Sequence, residues 1–486
     1  LSICFLAACL ATGHVLVSPA LLFIASCESV FYAIFLARRR QLTKPSPPRV
    51  PPRSRAQRQV LFAKCAATMT AERFVEWFVP SHDDIRRENV REWLLWALFS
   101  STLEHASPEW DGEIEEYLDL IEQVLGRKLA EGRGPVKSIR LSFDEVEFAY
   151  RPLVWYMIVA LVDTSTSLIL LSLGFKHYAP SRPQHFVFPP RILLWMFSRP
   201  GVTPHYSYWF RPGRLSHKRE SFVFLHGIGI GLHPYLPMLR EIVKADPSRD
   251  ILLVEFLPVS MRITGPMASR QCTVEAMNDI LDSLELRQVV LAAHSYGTFL
   301  AAYIVAEPAE DGPVDDPCKD LNDKVVSLVL IDPIPILLHL PTVTYNFLYR
   351  SPRRANEWQL WYFASSDADV TRMLRRGFFW EEGCLWREDL ERFIGEGSSR
   401  RQVSVVIGGA DQIIPSAAIR EYLSDGSDDW VSNAGPSERW ANSDETLQVI
   451  WFPNLDHATV FETKERRKVL MRVLDPKPRF YGTVTS

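Results

Sequence analysis

The stretch Arg287-Gln288-Val289-Val290-Leu291-Ala292-Ala293-His294-Ser295-Tyr296-Gly297-Thr298-Phe299-Leu300 decides how this chain is read. Val289 to Ala293 is a short apolar run rich in β-branched residues, as expected of a strand buried on both faces. From Thr298, through Ala301, Ala302 and Tyr303, the pattern turns helical. Ser295 therefore sits on a strand-to-helix turn. A serine in such a connection is often only a helix cap. Here the residues two before and two after it, Ala293 and Gly297, are both small. A turn sharp enough to hold a side chain out above a sheet brings those two positions close together.

The chain has 486 residues, which suits a large core plus extra segments. Apolar residues make up 47% and charged residues 23%, so most of it is expected to be globular. A formal net charge of -4 gives no reason to expect a nucleic-acid partner. The seven cysteines are scattered, with no Cys-x-x-Cys pair, and no His-Glu-x-x-His helix is present. They read as mostly reduced core residues, and no metal site is expected. The chain opens on Leu1 rather than Met, and residues ahead of it are expected.

Residues 1–40 read as a membrane anchor. Leu1 to Ala37 is almost continuously apolar, interrupted mainly by His14 and Glu28, and Val15 to Ala37 alone is long enough to cross a bilayer. A signal peptide is the competing reading, but the run exceeds an ordinary h-region and lacks a basic start. Residues 41–60 form a basic, Pro-rich linker, in which Arg49, Arg53, Arg55 and Arg58 appear with no acidic residue. The positive-inside rule puts that side in the cytosol. Residues 61–219 are expected to be a mainly helical region. Within it lies a second apolar segment, 153–175, with Asp163 near its middle. Both its flanks are basic, and from Lys176 to Arg219 no acidic residue occurs. A span should show charge asymmetry, and a mid-span charge is costly, so a helix buried in the protein or lying at the membrane surface is expected.

From Ser221 the texture becomes one of alternating strands and helices, the mark of a mostly parallel sheet with helices on both faces. Strands are expected at Phe222–Leu225, Ile251–Glu255, Val289–Ala293, Val325–Ile331, Val403–Ile407 and Leu447–Phe452, with a helix at Val274–Leu284. Ala293-His294-Ser295-Tyr296-Gly297 at the third of these strands resembles the G-x-S-x-G nucleophile elbow of the α/β-hydrolase superfamily, with Ala in place of the first Gly. The resemblance implies an α/β-hydrolase fold over residues 220–475, with a helical lid insertion at 334–399 and a tail at 476–486.

The resemblance also assigns roles. Ser295 is the expected nucleophile. His457, in Asn454-Leu455-Asp456-His457 after the last strand, is the expected base. Asp411, in Gly408-Gly409-Ala410-Asp411-Gln412, is the expected acid in the required order Ser, acid, His. Asp332, at the end of Val325–Ile331, is the alternative acid. His294 precedes the serine on the strand, where alternation sends it to the other side. His226-Gly227-Ile228-Gly229-Ile230-Gly231 implies an oxyanion hole from the Ile228 N–H, with Gly229 as a possible second donor and Tyr296 supplying the other N–H. The same glycines lack the third Gly of a dinucleotide fingerprint, Leu232 standing there, and no Gly-Lys-Ser/Thr follows, so no nucleotide cofactor is expected.

The function implied is hydrolysis of a lipophilic carboxylic ester by a membrane-anchored serine esterase or lipase, with no cofactor. An acyltransferase using the same acyl-enzyme, or a non-catalytic scaffold of the same fold, are the alternatives.

Overall fold

The computed structural model describes residues 1–14, 18–44, 53–80, 84–181, 186–213, 219–305, 317–395, 401–433 and 435–475. The heart of the Pro-rich linker, 45–52, and the tail, 476–486, lie outside the described residues. The chain divides into two compact units. The first is Leu1–Ala160 with His339–Phe378; the second is Leu161–Leu338 with Phe379–Ser486.

In the first unit, α1 (Ser2–Thr12) and α2 (Pro19–Leu42) form the apolar N-terminus. The helices α3 (Arg55–Ala66), α4 (Arg87–Phe99) and α5 (Asp111–Leu125) follow. Each boundary has a local cause. Ser54 and Gln57 make a capping box at the start of α3. Gly126, in the left-handed region, ends α5. In α4, Val90 and the run from Glu92 to Phe99 are buried, and Phe62 of α3 packs on Tyr117 of α5 at 4.6 Å. A small antiparallel pair, Phe78–Val79 with Lys137–Ser138, interrupts the helices expected over 61–136. The distal segment His339–Phe378 belongs to this unit through specific bonds. Arg38 of α2 grips Asp369 with two nitrogens, at 2.6 and 2.9 Å. Arg151 donates to Ser366 Oγ at 2.8 Å, and Arg376 donates to the Ser142 carbonyl at 2.7 Å. α6 (Leu153–Ser172) is the second apolar helix, and it runs from the first unit into the second.

The second unit is built on an eleven-stranded sheet among the described residues. Its strands are β1 (Lys176–Ala179), β2 (Arg199–Pro200), β3 (Ser207–Arg211), β4 (Ser221–Leu225), β5 (Ile251–Glu255) and β6 (Val289–His294), then β7 (Val325–Ile331), β8 (Gln402–Gly408), β9 (Val431–Ser432), β10 (Glu438–Ala441) and β11 (Leu447–Phe452). The spatial order is β9-β10-β11-β8-β7-β6-β4-β5-β3-β1-β2. From β11 to β5 all neighbours pair in parallel, and β4, β5 and β6 are buried along their whole length. Burial on both faces is why these strands read as unbroken apolar runs. The sheet starts earlier than the alternating texture from Ser221 indicated. β1 and β3 add antiparallel strands at the β5 edge, inside the region expected to be helical. They are short and mix aromatic with polar residues, which hides them from a periodicity reading.

Among the described residues two helices are long and apolar enough to cross a membrane, α2 and α6, and each carries a charge inside it. In the second unit, Asp163 of α6 receives Arg191 at 3.1 Å and Arg262 at 2.8 Å, and Arg191 also bridges to Glu255 at 2.7 Å. The seven cysteines form no disulfide. Cys9, Cys65 and Cys384 are buried, Cys27, Cys272 and Cys318 are half-buried, and Cys4 is exposed, so the core reading holds for only part of the set.

Removing Asp163 takes the acidic partner from Arg262 and leaves Arg191 with Glu255 alone, in a largely dry setting. Asp163→Ala should cost about 3 kcal/mol of stability, seen as a fall in melting temperature of the detergent-solubilised protein. An unchanged melting temperature would mean the cluster is not holding α6 to the sheet.

Candidate active site

The turn after β6 is shaped by two close approaches. Ser295 has φ 51°, in the left-handed region that non-glycine residues avoid, and its N–H donates to the Ile331 carbonyl at 3.0 Å. A β-carbon on Gly297 would fall 2.3 Å from the Leu225 carbonyl oxygen, so only glycine fits. Ala293 is fully buried, so the small residue before the serine sits in the sheet as expected. The helix α8 (Tyr296–Val305) starts at the residue after the serine, two residues earlier than the sequence indicates.

The carboxyl ends of β6, β8 and β11 bring the three expected residues together. His457 Nε2 lies 2.8 Å from Ser295 Oγ, and His457 Nδ1 lies 2.6 Å from Asp411 Oδ2. With a carboxylate on Nδ1, the proton of a neutral imidazole sits there and Nε2 is left to accept from the serine hydroxyl. Asp411 is itself fixed by the Ile413 N–H at 2.7 Å and the Ile414 N–H at 3.2 Å. Burial works against a charged imidazole at His457. The charges of Asp411, Asp332 and Asp456 together outweigh it and push the pKa up to about 9.

Asp332 does not touch the imidazole of His457 as a hydrogen-bond partner. Its Oδ1 accepts from Gly408 N at 3.0 Å, at the end of β8, and its Oδ2 accepts from Ala458 N at 2.8 Å, next to His457. It ties the end of β8 to the loop carrying His457. Burial would raise its pKa, but His294, His457 and the Ala458 N–H hold it below the usual carboxylate value. Asp332 and Ala458 have φ 44° and 65°. With Ser295 they make three non-glycine residues in the left-handed region around one point, a placement typical of functional sites.

Sequence reasoning missed what His294 does. Gly227 N donates to Tyr235 Oη at 3.1 Å, and Tyr235 Oη lies 2.7 Å from His294 Nδ1. The hydroxyl accepts from the amide, so its own proton goes to His294. That leaves His294 with its proton on Nε2, 3.7 Å from Asp332 Oδ2. Burial lowers the His294 pKa to about 4, consistent with a neutral ring. A buried hydrogen-bonded chain thus runs from His294 through Tyr235 to the loop after β4, with Asp332 beside it beyond hydrogen-bond distance. Only the coincidence of a histidine before the serine and a tyrosine eight residues after Gly227 hints at it.

The loop after β4 meets the serine closely. The β position of Gly227 is 2.9 Å from Ser295 Cβ. His226 closes this turn internally, with Nδ1 2.8 Å from the Gly227 carbonyl and Nε2 accepting from the Phe256 N–H at 3.0 Å. Of the expected oxyanion donors, Gly229 is corrected: its N–H is already engaged, donating to the Val259 carbonyl at 3.0 Å. Ile228 and Tyr296 directly follow Gly227 and Ser295 in the chain.

Asp332, Asp411 and His457 place ligand atoms within 4.8 Å of one another, the spacing of a metal site. Their donors are engaged elsewhere, with Asp411 and His457 bound to each other and both Asp332 oxygens on backbone amides. That pattern suits a hydrogen-bonded relay better than a cation.

A model of the alpha/beta hydrolase family matches residues 222–470. No curated protein matches the sequence. Among solved structures, a membrane phospholipase A described as a bacterial virulence factor is similar at 14% identity, covering 66% of this chain and 93% of that one, with a TM-score of 0.39. A carboxylesterase from Bacillus subtilis is similar at 15% identity, covering 66% and 98%, with a TM-score of 0.37. Alpha/beta hydrolase domain-containing protein 10 from mouse is similar at 15% identity, covering 57% and 95%, with a TM-score of 0.33.

Gly297 is the residue whose replacement tests the turn most directly. Gly297→Ala should destabilise the hydrolase unit by more than about 3 kcal/mol, because the clash is with backbone that cannot swing away. Thermal unfolding of the variant checks it, and a melting temperature near that of the parent would refute the close approach.

Proposed function

Because the chain belongs to the α/β-hydrolase family, we propose that it is a serine hydrolase that cleaves a lipophilic carboxylic ester through an acyl-enzyme on Ser295. The observation that carries this reading is the continuous bond path from Ser295 Oγ to His457 Nε2 and from His457 Nδ1 to Asp411. As Oγ attacks the ester carbonyl, Nε2 takes its proton and the imidazolium is held by Asp411. The carbonyl oxygen becomes an oxyanion facing the N–H groups of Ile228 and Tyr296. Collapse breaks the bond to the alkoxy oxygen, which leaves as the alcohol with the proton from His457. Water, deprotonated by the same nitrogen, then releases the acid and restores the serine.

The lipophilic substrate is supported by the apolar helices α2 and α6 and by the aromatic load of the 334–399 insertion, the proposed lid. Trp358, Tyr362 and Phe363 in it remain exposed. The hydrolase unit is proposed to face the cytosol, since the basic linker follows α2 directly. An engineered glycosylation site near Asp425 to Asp429 that acquires a glycan would reverse that orientation.

Ser295→Ala should abolish labelling by a fluorophosphonate probe and lower turnover by about four to six orders of magnitude. Persistent labelling would move the nucleophile elsewhere. On a p-nitrophenyl ester series from acetate to palmitate, kcat/KM should climb with chain length, and a steady fall from acetate would replace the lipophilic ester with a small polar one.

The base must be neutral to act, so the probe-labelling rate should rise with pH and level off near the His457 pKa, at about 9. Asp332→Asn removes a negative charge that favours the imidazolium, so the rising limb should move to lower pH. Asp411→Asn should instead cut the plateau rate itself by about 10⁴-fold. Were the two variants equal at matched thermal stability, Asp332 would share the role of the acid.

A further inference from the structure

In the second unit, the segment from Phe186 to Val202 leaves an apolar surface uncovered. The short helix α7 (Ile192–Phe197) reads Ile-Leu-Leu-Trp-Met-Phe, and only Leu194 of its six side chains is buried. Trp195 is 75% exposed, and Phe186, Ile192, Met196, Phe197 and Val202 are exposed with it. Soluble surfaces rarely show apolar groups so concentrated, and such patches mark a protein or membrane contact. The charge around the segment indicates which. No acidic residue occurs between Lys176 and Arg219, and the flanking Lys176 and Arg199 are exposed. Arg191, just before α7, is occupied by Asp163 and Glu255 and holds the start of α7 against α6, which itself exposes Leu161 and Leu168. Exposed aromatic residues between cations are the signature of an element lying in a bilayer interface with anionic headgroups.

Beside this segment is a cavity of about 450 Å³, walled by Phe186, Leu194, Trp195, Leu257, Pro258 and Met267. Its size is that of a small-ligand site. The polar groups at its base are already satisfied. His177 Nδ1 is 2.6 Å from Ser198 Oγ and His177 Nε2 is 3.1 Å from Glu255, which also accepts from Ser207 Oγ at 2.6 Å. A cavity with a satisfied polar base and apolar walls suits hydrocarbon. It opens at the carboxyl end of β5, and Ser295 follows β6 with β4 between them. Two strand spacings, roughly 10 Å, separate those strands.

We infer that Phe186–Val202 seats the hydrolase unit on an anionic lipid surface and that the adjoining cavity takes one acyl chain of a lipid drawn from it. This docking needs no chemistry at Ser295, so it can fail while the esterase reading stands, and the reverse. The full chain carrying Ser295→Ala is reconstituted in vesicles of phosphatidylcholine and phosphatidylserine doped with a phosphatidylcholine bearing a diazirine on its acyl chain. After irradiation, adducts are mapped by mass spectrometry. Adducts are expected on the peptide holding Trp195 and on the peptide spanning Leu257 to Cys272. Combining Trp195→Ser with Phe197→Ser should lower both by about tenfold, the effect of losing two interfacial aromatics. Ala268→Trp, which fills the cavity, should remove the second set and keep the first. Circular dichroism confirms that each variant is folded. Adducts confined to Pro19–Leu42 and Leu153–Ser172 would overturn the docking surface. Adducts over Leu257 to Cys272 that persist in Ala268→Trp would overturn the cavity.

Discussion

A β-carbon at position 297 would lie 2.3 Å from the carbonyl oxygen of Leu225, so α8 can start where it does only because the chain has glycine there. That contact sets how near β4 comes to the turn after β6, and several other features follow from it. The loop leaving β4 is brought to within contact of Ser295 through Gly227. Ser295 is forced to φ 51°, a conformation costing on the order of 1–3 kcal/mol. The parallel registers β4 to β6 and β6 to β7, all buried, supply the rigidity that holds it. The geometry of the site is thus a property of the sheet rather than of the loops alone.

Asp332 adds a second constraint. Its two oxygens join β8 to the loop carrying His457, so the residues either side of the imidazole cannot drift apart independently. The same carboxylate lies against His294, which leads through Tyr235 to Gly227. The end of β8, the loop carrying His457 and the His294 ring therefore meet around this one buried carboxylate. The two carboxylates differ in role because they differ in what they bond. Asp411 accepts from the imidazole, whereas Asp332 accepts from backbone and acts on His457 through its charge alone.

The central strands and the serine turn were legible because burial on both faces writes itself as contiguous apolar residues, and because the turn admits only small flanks. The positions of Asp411 and His457 were legible from their order after particular strands. The edges were not. Tyr208 and Trp209 of β3 belong to a strand whose mixed pattern matches neither period, and β1 lies in a stretch without acidic residues that was expected to be mainly helical. Gly229 looked like a donor by spacing, yet the direction of its N–H is set by Val259, which no local motif announces. Nor does any pattern show that His339–Phe378 joins the N-terminal helices, since Arg38 and Asp369 are more than three hundred residues apart in sequence.

Composition also fails to separate a helix that crosses a bilayer from one that packs on protein, and the two charges inside the apolar helices show why. Glu28 of α2 is met by the Leu153 N–H at 3.0 Å and by the Tyr150 hydroxyl, both within the first unit. Asp163 of α6 is met by two arginines of the second. A carboxylate so partnered no longer argues against an apolar setting, because its desolvation is offset by charge-assisted bonds. The difference lies in what surrounds the rest of each helix. The apolar window of α2 is 6% buried in protein, against 33% for α6. For α2 almost none of that window is covered by protein. For α6 one face belongs to the protein, and Asp163 sits where that face meets Arg191 and Arg262, which fits a helix held against the hydrolase unit.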